Sequence, residues 1–176
     1  MKLNTAFVVL FVLAGTSAAF AQDRNKPAFD SVYTNLSKSC KVLKGGAGQD
    51  DASLCEGIGG YRVRIYSSAA ATHVVAELKG SDDTFPIATV GLDFNGTKGK
   101  IEWRTAGGKP FAIIMRVPKY GPTSDDNPYL GKLIGEELVI TGLKNFEKLS
   151  LSIDSKKPGA NAEARAIADK AYAERK

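Results

Sequence analysis

From Tyr61 to Tyr66 the chain alternates, with Tyr61, Val63 and Ile65 interleaved between Arg62, Arg64 and Tyr66. A period of two puts successive side chains on opposite faces, so this stretch reads as a half-buried β-strand. Ser67 to Ala71 can turn the chain back into Thr72 to Leu78, which predicts a hairpin. Lys100 to Thr105 alternates again: Ile101 and Trp103 share one face, and Lys100, Glu102 and Arg104 share the other. The loop Ala106 to Pro110 then leads into Phe111 to Val117, the most apolar strand after the N-terminal region and the expected partner of the one before it.

The remaining segments extend the pattern. Val32 to Leu36 and Cys40 to Leu43 read as two short strands or as one interrupted strand, and Cys55 to Gly60 reads as a glycine-rich turn. An apolar run, Ile87 to Phe94, stops at Asn95-Gly96, a turn signal because both residues tolerate positive φ. Tyr120 to Gly135 is rich in Gly, Pro, Asp and Asn and is expected to be a surface loop, while Glu137 to Leu143 and Leu149 to Ile153 read as the last strands. After Pro158-Gly159 the period changes. Asn161 can cap a helix over residues 160–175 in which Ala164, Ile167, Ala168, Ala171 and Tyr172 share a face. Seven to eight short strands and one terminal helix predict a mainly β, α+β fold: an antiparallel β-sandwich or small barrel with the helix packed on it.

The first 21 residues are of another kind. Lys2, the uncharged run Ala6 to Ala14 and the small-x-small triplet Ala19-Phe20-Ala21 form a secretory leader. Its apolar stretch is too short for a bilayer core of roughly 30 Å, so cleavage between Ala21 and Gln22 and a periplasmic or secreted product are expected. Residues 22–176 would then form one globular domain, with 22–30 as a flexible N-terminus. Cys40 and Cys55 are the only cysteines. Export puts them where a disulfide forms and persists, and their spacing is not the Cys-x-x-Cys of a redox pair. They are expected to be bridged for structural reasons. The formal charge of +5 is a mild basic excess, compatible with an envelope protein or anionic envelope polymer as partner. No compact Lys/Arg cluster argues for nucleic acid, and no spanning segment is expected after the leader.

Candidate chemistry is sparse. His73 is the only histidine, lies mid-strand, and has no Gly-x-Ser-x-Gly elbow to serve. The adjacent carboxylates Asp50-Asp51, Asp82-Asp83, Asp125-Asp126 and Glu136-Glu137 fall in or beside predicted loops, where Asp favours turn hydrogen bonding. None matches a calcium-loop spacing, so no catalytic residue, metal or cofactor is assigned. Trp103 is expected in the core. Arg62 and Arg64 point together off one strand, and Arg104 and Arg116 occupy polar-side positions of the next hairpin. If those faces lie on one sheet, the four arginines form a basic patch suited to carboxylates or phosphates. The functional expectation is a non-catalytic binding or interaction protein, with a carboxylate-dependent hydrolase acting on envelope material as the alternative.

Several phrases carry a resemblance: Tyr33-x-x-Leu36, Cys55-Glu56-Gly57 running to Gly60-Tyr61, Lys100 to Arg104, Gly108-Lys109-Pro110-Phe111-Ala112, and Pro158 to Asp169. Together they resemble an uncharacterised family of small exported proteobacterial proteins. The resemblance implies a periplasmic, single-domain protein with its cysteine pair bridged, and it implies no activity. Members often carry a further cysteine pair near the C-terminal helix, which this chain lacks. In outline the chain is also similar to bacterial inhibitors of lysozyme, an analogy at the level of fold alone.

Overall fold

The computed structural model describes residues 27–45, 51–92, 94, 99–125 and 131–175. The expected leader and cleavage site, the glycines of 46–48, the expected turn at Asn95-Gly96, Asp50 and Asp126 lie outside them. In chain order the elements are β1 (Phe29–Asn35), α1 (Leu36–Ser39), β2 (Cys40–Leu43), β3 (Ala52–Glu56), β4 (Tyr61–Ser67), β5 (Thr72–Leu78), β6 (Thr84–Val90), β7 (Lys100–Ala106), β8 (Lys109–Tyr120), β9 (Leu133–Gly142), β10 (Ser150–Asp154) and α2 (Ala160–Ala173). Two five-stranded antiparallel sheets result. The helix-side sheet has the order β1-β7-β8-β9-β10, and the outer sheet runs β2-β3-β4-β5-β6.

The two sheets stack as a sandwich around Tyr61, Val63, Val74, Phe85, Ile87, Ile101, Trp103, Ile113 and Met115. Trp103 is fully buried there, as its place beside Ile101 predicts, and its indole N–H donates to Thr34 Oγ1 at 2.9 Å, which satisfies the one polar atom of the ring. A second core lies on the far face of the helix-side sheet. Ala160, Ala164 and Ala168 of α2 sit against Ala112, Ile114, Leu138 and Ile140. Methyl side chains let the helix approach the sheet closely, and the cluster is sealed by Phe29, Phe111, Phe146 and Tyr172, whose centroids lie 4.8–5.9 Å apart.

A sheet covered on both faces has no solvated side to alternate with. That is why β8 reads as a continuous apolar run. A bulge sharpens it: Arg104 pairs with Ala112 and Thr105 with Pro110, so Phe111 is the extra residue and joins Ala112 on the helix side.

Several expectations need correction. The described residues form ten strands. Val32 to Leu36 and Cys40 to Leu43 belong to different sheets, because α1 carries the chain across, capped by Asn35, whose side chain accepts from Ser37 N at 3.1 Å, and pinned by buried Leu36. Strand β1 begins at Phe29, inside the stretch expected to be flexible. β3 was hidden in the segment before the glycine-rich turn. Strand β9 starts at Leu133, inside the expected loop, and α2 begins at Ala160, with Gly159 in the left-handed region (φ 76°) at the cap position expected for Asn161. No helix among the described residues is long and apolar enough to cross a membrane.

The disulfide is present. Cys40 and Cys55 are register partners on β2 and β3, so the bond ties the edge strand of the outer sheet to its neighbour.

Candidate functional site

The outer sheet has one face free of the core, and β4 and β5 display their polar alternates on it. Pairing opposes Arg62 to Glu77 and Arg64 to Val75, which leaves Arg64 diagonal to the same carboxylate. Arg62 Nε donates to Glu77 Oε2 at 2.7 Å, and Arg64 Nε donates to Oε1. Burial by itself raises the Glu77 carboxyl, but the bonds from Arg64 and Arg62 outweigh it and hold the group below the usual carboxylate value. Glu77 therefore stays ionised. One carboxylate, with its side chain 12% exposed, is shared by two guanidinium groups that are each 36% exposed, so the triple carries one net positive charge.

Beside it lies an open groove of about 540 Å³ lined by Arg64, Tyr66, Val75, Glu77, Thr84 and Pro86. Val75 and Pro86 supply apolar floor. Tyr66 stacks on His73, its register partner, with ring centroids 5.0 Å apart. His73 is fixed in turn: Nε2 lies 3.2 Å from Ser68 Oγ and Nδ1 lies 3.3 Å from Thr89 Oγ1. The only histidine thus orients an aromatic wall of the groove. Next to the triple, Lys79 pairs with Glu56, leaving that neighbour neutral.

The four arginines do not make one patch, because the condition that their faces share a sheet is not met. Arg104 faces α2, with its side chain 7% exposed, and its Nη2 meets Asp169 Oδ2 at 2.7 Å while Nη1 donates to Ser31 Oγ at 2.6 Å. Ser31 Oγ donates onward to Glu102, which also receives Arg165 Nε at 2.6 Å. Burial raises the Glu102 carboxyl, yet the bonds from Arg165 and Ser31 prevail and lower it overall. Donating to Glu102 in turn pushes Arg165 further up. This chain of bonds fastens α2 to β1 and β7. Arg116, exposed on β8, pairs with Glu136 at 3.4 Å.

The adjacent carboxylates are dispersed. Asp51 binds Lys44, Asp83 binds Lys144 at 2.8 Å, and Glu137 accepts from Ser152. Among the described residues no three His, Cys, Asp or Glu side chains gather as a metal-binding group. Glu77 and Tyr66 are the residues that sequence reasoning left unassigned. A signal for Glu77 exists, since counting outward from the Ser68 to Ala71 turn along both arms of the hairpin sets Glu77 opposite Arg62. Comparison with family models, with curated proteins and with solved structures finds no match to this chain.

Proposed function

We propose that this chain is an exported, non-catalytic binding protein of the periplasm, and that the free face of its outer sheet holds a carboxylate-bearing segment of an envelope protein or polymer. The observation that carries the reading is the Arg62–Glu77–Arg64 triple at the end of an apolar groove. Two guanidinium forks share one counter-ion, which leaves donor capacity for an incoming carboxylate, and Arg is the side chain whose planar fork matches that group. Strand-borne side chains position such a contact more rigidly than loop-borne ones.

Binding of poly-L-glutamate to the oxidised protein, followed by fluorescence anisotropy, tests this. The R62Q/R64Q variant is expected to bind about ten-fold more weakly, on the order of one charge-assisted contact. E77Q is expected to bind more tightly, because it removes the neutralising carboxylate. A K38Q/K156Q control, which removes the same charge elsewhere, should behave as the parent. Unchanged binding in R62Q/R64Q, or equal weakening in the control, would overturn the assignment.

A further inference from the structure

At one end of the sandwich, three loops and the end of α2 converge on a cleft of about 590 Å³. The loops are the Gly57–Gly60 turn, the two-residue turn Gly107-Gly108 between β7 and β8, and the connection Leu143–Phe146 after β9. Loops placed by a rigid sandwich are where binding residues concentrate, and two of these are tied to the strands beside them. Gly59 has φ +59°, and a Cβ there would lie 2.5 Å from the Pro110 ring, so the first loop is pressed against the start of β8. Lys144 N donates to Tyr61 Oη at 3.4 Å, which ties the third loop to β4. Asn145 is held at φ 71°, the one positive-φ residue other than glycine among the described residues. A non-glycine residue in that region is a cost that the surrounding structure must offset, and such positions cluster at functional sites.

The charge in the cleft has one sign. Among the described residues Lys109, Lys144 and Arg175 line it, and no carboxylate does. Lys144 is partly neutralised by Asp83, which stands outside the lining, and Glu147 lies close enough to act on it. For Lys109 and Arg175, no carboxylate partner is found among the described residues. Arg175 is also pre-oriented. Its guanidinium carbon sits 5.0 Å from the Phe146 ring centroid and 5.4 Å from that of Tyr172, and those two rings stack on each other. Contact with the two rings places the guanidinium at the cleft, where its five donors suit a carboxylate or phosphate. Two carbonyls in the last turn of α2 are engaged within the chain: Lys170 O accepts from Glu174 N and Tyr172 O from Arg175 N. Leu78 and Pro110 add an apolar wall.

We infer that this cleft is a second binding site, separate from the outer-sheet face, for a small anion that carries a flat apolar ring: the carboxylate or phosphate bound between Lys109 and Arg175, and the ring against Pro110 and Leu78. It stands independently of the reading given for the outer sheet. A ring or an anion alone would use half of the site.

The test is an amide-resolved NMR titration of the oxidised protein with phenyl phosphate, beside phenol and inorganic phosphate as single-feature arms. Saturable shifts are expected at Gly108, Lys109, Asn145 and Arg175, with phenyl phosphate binding about ten-fold or more tighter than either fragment. K109Q/R175Q, two exposed substitutions, should lose about ten-fold, and K38Q/K156Q should lose none. Saturable shifts with inorganic phosphate as strong as with phenyl phosphate would remove the ring from the site. Unsaturable shifts, an unchanged K109Q/R175Q, or equal loss in the control would overturn it.

Discussion

Arg104 shows how far a single side chain's role depends on what covers it. Alternation assigns it to the polar face of β7, but that face is roofed by α2, and the guanidinium is satisfied by Asp169 and Ser31. Removing one member of such a pair leaves the other buried and uncompensated. D169N, with Asp169 still 24% exposed, should cost about 2 kcal/mol in urea unfolding, whereas R104M/D169L should recover most of that loss. The neighbouring Glu102 predicts a pH effect. Its folded carboxyl is lowered from 4.5, so its contribution is complete above that value and is lost as pH falls through the lower folded one. E102Q is expected to show a flatter decline of stability with pH below 4.5 than the parent, and an identical acid limb in both proteins would contradict it. Gly142 marks a third constraint, because a Cβ there would lie 1.8 Å from Phe146 O. G142A should unfold at markedly lower temperature, as read by circular dichroism.

Among the elements, α2 was the most legible, because a period of 3.6 in Ala164, Ile167, Ala168, Ala171 and Tyr172 needs no knowledge of the partner. Those residues do face the sheet. What the period could not convey is the closeness that alanine permits. A164L should force the helix away and cost about 1–3 kcal/mol, measurable by chemical denaturation, while the β4–β5 hairpin keeps its amide protection. The hairpin itself was readable for the opposite reason: the outer sheet keeps one face in water, so Arg62 and Arg64 alternate cleanly with Tyr61, Val63 and Ile65. Strand β3 escaped notice because it is five residues long and carries no such alternation between exposed and buried positions.

At the scale of the whole molecule, three layers are assembled from one chain, and the edge strands are the weak places. Strand β2 has four residues, with Val42 62% exposed, and is tied to β3 by the Cys40–Cys55 bond. Reduction should lower stability by about 3 kcal/mol in guanidinium titrations, with amide exchange rising first in β2 and β3. Exchange rising first in β8, buried on both faces, would contradict that order. Most of the strands, the hairpin, the core position of Trp103, the terminal helix and its buried face, and the cysteine pairing follow from local period, turn chemistry and cysteine count. Other features followed only from the assembled layers: that β1 and β2 part into different sheets across α1, that Arg104 is roofed while Arg62 and Arg64 stay open, and that Lys109, Lys144 and Arg175 converge. The reason is physical. Periodicity and turns are properties of neighbours in sequence, whereas burial and ion pairing are decided by residues such as Arg104 and Asp169, distant along the chain until the sheets and the helix pack.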